Sequence, residues 1–187
     1  MGHTGGHHCE VRYRDMRVPK ENILGNRGDG FVISQTRLGP GRITHSMRWL
    51  GQAQRAFELM CDRALTRYAH GSLLSEKGEV QRYIAESAAS IHAARLMTLD
   101  AARAIDAGED ARVEISLIKF FGAQMLHDVI DRAIQVHGAL GVTEDTPLER
   151  MYRDARYARI YDGPDEVHRM VVSRRLLRDY RNGAPWS

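Results

Sequence analysis

The chain has 187 residues, of which 43% are hydrophobic and 27% charged, with a formal net charge of +3. This is enough for one domain, or one domain with an appendage, built on a proper core, and it argues against disorder. The arginines are mixed with Glu and Asp along helix faces with no nucleic-acid motif, and no apolar run reaches bilayer length, so neither a nucleic-acid partner nor a membrane span is expected.

Cys9 and Cys61 are too few for a disulfide framework and fit reduced thiols in a cytoplasmic protein without a secretory leader. The glycine-rich start carries His3, His7, His8 and Cys9. Their spacing matches no established metal site and nothing downstream completes a ligand set, so no metal is expected.

Residues 10–24 read as extended: Val11, Tyr13, then Met16 and Val18 give an imperfect alternation that Pro19 ends. A single strand leaves its backbone groups without partners. It is therefore expected to be the last strand of a sheet whose other strands lie outside this chain. Residues 25–30 form a glycine-rich loop, residues 31–38 a short helix, and Gly39-Pro40-Gly41 a break.

From Arg42 the pattern is helical. Ile43, Met47, Leu50, Gln54, Phe57, Cys61, Ala64 and Tyr68 share a face, and the helix stops near His70-Gly71. A second helix starts near Gly78-Glu79 and puts Val80, Ile84, Ser87, Ile91, Ala94, Thr98, Ala101 and Ile105 on one face. Its small residues suggest close helix–helix approach. Asp110 is the expected N-cap of a third helix, whose face carries Ile115, Ile118, Gly122, Met125, Val129, Ala133 and Val136 and which reaches Gly138. Thr146-Pro147-Leu148-Glu149 opens a fourth, running to about Ile160, with Thr146 as cap. The last helix spans about residues 164–180, and 181–187 form a frayed tail. Three long helices and two shorter ones imply an all-α fold, an antiparallel four-helix-type bundle with a short N-terminal extended segment.

Between the last two helices lies Tyr161-Asp162-Gly163-Pro164-Asp165-Glu166-Val167-His168. Asp162 sits where the helical pattern stops at a Gly and restarts at a Pro. Gly163 permits close approach of backbone to a ligand, and Pro164 suits a first helical turn. A carboxylate in such a corner can serve as a general base. On spacing alone the plainer reading is favoured, in which Asp162 belongs to the N-cap region of the last helix.

The ordered set of motifs shifts that balance. A Val-Pro-Lys-Glu-Asn segment ending at Asn22 is followed by Gly51-Gln52-Ala53-Gln54-Arg55-Ala56, Gln135-Val136-His137-Gly138, Arg153-Asp154-Ala155 and Tyr161-Asp162-Gly163. Together they resemble the C-terminal half of the acyl-CoA dehydrogenases, FAD enzymes, over nearly the whole chain. The Asp-Gly-Pro-Asp-Glu-Val-His version resembles the branch of animal acyl-CoA dehydrogenase family members 10 and 11.

The resemblance implies that residues 1–29 are the end of a β domain, 30–180 the C-terminal bundle and 181–187 a tail. It implies removal of the α-proton of an acyl-CoA by Asp162, which stands where the family has Glu in Tyr-Glu-Gly-Thr, while FAD accepts the β-hydride. Relatives that place the base on the first bundle helix would have it at Gly41, which has no side chain. Arg42 matches an Arg beside the substrate, near Gly41 and Gly163. Arg67, His70 and Gly71 match the Arg-x-x-Phe-Gly motif that meets FAD of a neighbouring subunit, with His70 in place of Phe and Gly78 in place of a later Gln. Gln135, Gly138 and Ala139 match Gln-x-x-Gly-Gly at the adenine end of FAD, Ala139 replacing the second Gly. Pro164 and Glu166 replace the Thr and Gln that touch FAD.

Implied partners are an electron-transfer flavoprotein and either further copies in a homo-oligomer or a chain carrying the N-terminal domains. The alternative is a non-catalytic bundle that oligomerises or pairs with a fuller relative and contributes half of an FAD site.

Overall fold

A computed structural model describes residues 9–184 and Trp186. The His3, His7 and His8 reading lies outside the described residues, and Cys9 is exposed. Among the described residues, no group of three or more His, Cys, Asp or Glu is placed to hold a metal. No helix among them is long and apolar enough to cross a membrane.

Residues 10–24 carry no strand; their regular element is a single 3-10 turn, Lys20–Asn22. Val11, Tyr13, Met16 and Val18 are all exposed there. The strand expected from the alternation is absent because a strand needs a neighbouring ladder to satisfy its backbone, and none of the described residues supplies one.

Five α-helices follow among the described residues: α1 Gly30–Thr66, α2 Gly78–Asp106, α3 Arg112–His137, α4 Leu148–Ala158 and α5 Asp165–Arg181. α1 is one continuous helix through Pro40, so Gly39-Pro40-Gly41 does not break it. A helical Pro removes one backbone donor, here the one that would serve the Thr36 carbonyl. The cost falls on an exposed position, Pro40. Gly39 in turn lies against α3, where a Cβ would sit 3.5 Å from Ile115 Cδ1.

α1 also ends earlier than the sequence suggests. It stops at Thr66, and β1 (Tyr68–Ala69) pairs antiparallel with β2 (Ser72–Leu73). His70 (φ 51°) and Gly71 (φ 84°) form the turn. Consecutive positive φ values are what a tight hairpin asks for, so the Gly that reads as a helix stop is a hairpin residue. The buried face of α1 is Ser46, Trp49, Leu50, Ala53, Ala56, Met60 and Ala64, whereas Met47 and Tyr68 are exposed. The expected stripe is rotated: Trp49, Ala53, Ala56 and Met60 face inward in place of Met47 and Tyr68, while Leu50 and Ala64 belong to both.

α2 buries Val80, Ser87, Ile91, Ala94, Thr98 and Ala101 on one face, as its periodicity requires. α3 is the centre of the bundle and touches all four other helices. It buries Ile115, Ile118, Gly122, Met125, Val129, Ala133 and Val136, and also Leu126, Ile130 and Lys119 on other sides. Each Leu or Ile so buried contributes about 1.5–3 kcal/mol relative to exposure. At Gly122 α3 packs closely on α1: a Cβ there would lie 3.3 Å from the Trp49 ring and 3.4 Å from Ser46 Oγ. Ser46 Oγ and Thr98 Oγ1, 2.8 Å apart, join α1 to α2, and Thr98 also donates to the Ala94 carbonyl.

Two expected caps are used otherwise. Ala111, not Asp110, precedes α3, and Asp110 accepts from Arg175 of α5 at 2.7 Å. Pro147 precedes α4, and Thr146 Oγ1 is buried without a hydrogen bond. Past α5, Ala184 N–H donates back to the Asp179 carbonyl at 2.9 Å, so the expected frayed tail begins with a capped turn.

Candidate active site

Asp162 lies in the turn between α4 and α5, in the left-handed region with φ 55°. An ordinary residue adopts that conformation only when its surroundings hold it there. Arg42 of α1 donates from Nε to the Asp162 carbonyl at 3.0 Å. His168 of α5 reaches the same carbonyl from Nε2 at 3.1 Å. A carbonyl only accepts, so Nε2 of His168 carries the proton and Nδ1 accepts from Ser116 Oγ of α3, 3.2 Å away. Two helices, α1 and α5, therefore hold one carbonyl, and α3 orients the histidine that does so. Burial holds the pKa values of both Arg42 and His168 below their ordinary ranges.

Gly163 follows with φ 101°, and a Cβ there would stand 2.8 Å from His168 Nε2. Only glycine fits both the dihedral and the space. Pro164, exposed and extended, leads into α5. Glu166 is exposed in the first turn of α5, 3.8 Å from Arg169.

The Asp162 carboxylate faces α1. Its Oδ2 is 2.8 Å from His45 Nε2, a contact that does not have the alignment of a hydrogen bond, and Oδ2 is otherwise buried without one. The His45 ring lies between Trp49 (centroids 6.1 Å apart, 20° between planes) and Tyr161 (4.7 Å, 66°). Trp49 Nε1 donates to Tyr161 Oη at 2.8 Å, which fixes both rings. Burial raises the Tyr161 pKa, keeping that phenol protonated.

Beneath the turn, Lys119 of α3 is wholly buried. It donates to the Ala158 carbonyl at 2.8 Å and stands 3.6 Å from Asp165, which accepts from Arg159 at 3.0 Å. Lys119 thus ties the end of α4 to the start of α5 and sets where the Asp162 turn can sit. Burial lowers its pKa, opposed by Asp165.

Beside the turn is a cleft of about 540 Å³ between α1, α3 and α5, whose walls include Arg42, Ser116, Gly163 and His168. Gly41 adjoins it on α1, with open space where a Cβ would be.

A second cleft, about 280 Å³, brings together Arg67, Gln135, Gly138 and Ala139 with Arg63. His70 and Gly71 are in the nearby hairpin turn and do not line it. Arg63 Nε is buried there without a hydrogen bond. Gly138 has φ 64°, and Ala139, exposed in the 3-10 turn Gly138–Val142, lines the cleft beside it. Ser116 and Gln135 mark the two sites on α3, and nineteen helical residues span about 28 Å at 1.5 Å per residue.

Sequence reasoning missed His45, Trp49, Ser116 and Lys119, and assigned no role to His168. A signal existed for two of them: His45 and Trp49 are four apart on α1, hence on one face. Lys119 reads as a solvated helix residue and offers none.

The fold is a helical bundle with an aspartate in an interhelix turn, the backbone carbonyl of that aspartate being held by side chains of the first and last helices. The pattern that defines the acyl-CoA dehydrogenase C-terminal domain matches residues 28–177. Over 172 residues the chain is 52% identical to probable acyl-CoA dehydrogenase FadE2 of Mycobacterium tuberculosis, covering 91% of this chain and 42% of that protein. It is 46% identical over 181 residues to acyl-CoA dehydrogenase family member 11 of Rattus norvegicus, covering 96% and 23%. Among solved structures it resembles butyryl-CoA dehydrogenase from Megasphaera elsdenii, with TM-score 0.85 and 32% identity over 89% of this chain and 43% of that one. This chain belongs to the acyl-CoA dehydrogenase family. It spans less than half the length of these relatives.

Proposed function

We propose that this chain provides the base-bearing bundle of a flavin-dependent acyl-CoA dehydrogenase, which oxidises an acyl-CoA thioester to the trans-2-enoyl-CoA. The supporting observation is the Asp162 turn: a carboxylate on a left-handed residue whose carbonyl is held by Arg42 and His168. A general base must be fixed relative to the C–H it attacks, and a short side chain on a braced backbone meets that need. The carboxylate takes the α-proton. The backbone N–H of Asp162 serves as a donor to the thioester oxygen as enolate character develops. Asp is one methylene shorter than the family's Glu, so the substrate has to approach the turn closely, which Gly163 permits.

The second cleft fits the phosphate and adenine end of FAD. Arg67, Gln135 and the buried, unpartnered Nε of Arg63 offer donors converging on one space. When bound, FAD supplies the two-electron acceptor for the β-hydride. The base and this cleft are about 28 Å apart along α3 in one chain, which supports a working site shared between two chains, in a homo-oligomer or with a partner carrying the N-terminal domains. An electron-transfer flavoprotein is the proposed acceptor of the electrons.

The test is Asp162→Asn in the protein with any N-terminal domains restored. Dehydrogenation should fall about 10²–10⁴-fold, the usual contribution of a general base, with flavin absorbance kept. Unchanged turnover would sink the assignment. A second reading, a non-catalytic bundle that contributes half of a flavin site, is supported by the distance between the Asp162 turn and the cleft at Arg67 and Gln135 within one chain. Retention of flavin absorbance by this chain after FAD addition and desalting would count against it.

A further inference from the structure

We propose that His45 is a positioning residue for Asp162: Arg48 fixes the ring as the Nε2–H tautomer, and that N–H holds Oδ2 of the carboxylate so that the other oxygen is left to take the substrate proton. The inference rests on the reading of Asp162 as the base and deepens it.

The tautomer follows from the partners. Arg48 Nη2 bonds His45 Nδ1. A guanidinium has only donors, so Nδ1 must accept and the ring proton must be on Nε2. Nε2 is the atom 2.8 Å from Asp162 Oδ2. With Nδ1 occupied by Arg48, the imidazole has no lone pair free for a substrate proton. His45 therefore orients the carboxylate and does not replace it as base.

The ring itself cannot swing far, since Trp49 and Tyr161 flank it and are bonded to each other. Oδ2 is buried 2.8 Å from Nε2 without an aligned hydrogen bond, and the proposed bond forms when the carboxylate turns toward the His45 N–H as substrate arrives. Catalytic hydrogen bonds are commonly loose before substrate arrives and tighten in its complex. The charged groups facing His45 are Asp162 from the α4–α5 turn, Arg48 from its own helix and Lys119 from α3. Burial is the largest influence on the ring and lowers its pKa, Arg48 and Lys119 act the same way, and Asp162 opposes them. A neutral ring is the form the arrangement requires.

Two measurements test this. In the isolated chain, ¹⁵N NMR of His45 should show the Nε2–H tautomer at neutral pH, and Arg48→Met should mix the tautomers; an Nδ1–H ring in the unaltered chain overturns the proposal. In the flavin-loaded protein, with any N-terminal domains restored, His45→Phe keeps an aromatic ring and removes the donor. It should lower kcat about 10²-fold, the scale of a misplaced reacting group, with KM changed less than about threefold. His45→Gln, which returns an N–H near the Nε2 position, should recover most of that loss. Wild-type kcat in a folded His45→Phe protein, or no recovery by Gln, overturns it. If His45→Phe does not fold, the tautomer and the Gln variant decide. Full turnover by Asp162→Asn would instead remove the base reading itself, whereas a dead Asp162→Asn beside a normal His45→Phe would remove only the role of His45.

Discussion

Arg42 Nε lies 3.0 Å from the carbonyl of Asp162, a residue 120 positions further along the chain. That bond joins the first helix of the bundle to the turn before the last, and it bears on the backbone rather than on the carboxylate. Arg42→Met should destabilise the fold by about 1.5–3 kcal/mol, the range for hydrogen bonds to charged groups. Urea unfolding should show a lower midpoint at unchanged slope. Arg42→Lys should restore little, since a flexible ammonium does not reproduce the fixed guanidinium geometry. A midpoint unaffected by both variants would show that the turn does not depend on this bond.

Gly163→Ala meets two obstacles at once, φ 101° and a Cβ 2.8 Å from His168 Nε2. The dihedral alone costs about 1–3 kcal/mol, and His168 must also give way. The expected readout is a lower melting temperature together with altered NMR shifts for the His168 ring. A stable variant with an unmoved ring would contradict the described turn.

Lys119 and Asp165 form a buried pair with unequal support. Asp165 keeps Arg159 if Lys119 is removed, whereas Lys119, if Asp165 is removed, keeps the Ala158 carbonyl and the Trp49 and Tyr161 rings but no carboxylate in contact, Asp162 acting only through space. Leaving a buried charge unpaired costs about 3–5 kcal/mol. Asp165→Ala should therefore destabilise by about that amount and Lys119→Met by less. Chemical denaturation of the two variants in parallel checks the order, and the reverse order would refute it.

Acid should loosen the site from the histidine side. His45 and His168 both have folded-state pKa values held below the ordinary 6.5, chiefly by burial. For such groups the stabilisation is fully present above 6.5 and is lost as pH falls through their lowered values. Protonated His168 can no longer accept from Ser116 at Nδ1, which weakens the grip on the Asp162 carbonyl. Unfolding midpoints should be flat from about pH 8 to 7 and fall below about pH 6.5. His168→Gln should make that fall shallower. An acid profile identical in the variant would exclude His168 as a contributor.

The sequence by itself determined the five helical segments, the buried faces of α2 and α3, and the family, because these rest on local periodicity and short motifs. Val80, Ser87, Ile91 and Ala94 recur at helical spacing and are buried on one side of α2. Asp162 stood out for a related reason, lying where the pattern stops at Gly and restarts at Pro. What lay beyond reach depends on contacts between distant segments. Pro40 and Gly71 carry strong breaker signals, yet packing runs α1 through the first and a hairpin claims the second. Asp110 has the chemistry of a cap and is taken by Arg175 instead. Only the tertiary structure placed His45 against Asp162 and buried Lys119 beneath the turn. The physical reason is that a charge or an imidazole signals nothing about its surroundings in one dimension; its partner, its burial and hence its protonation are fixed only when the bundle closes around it.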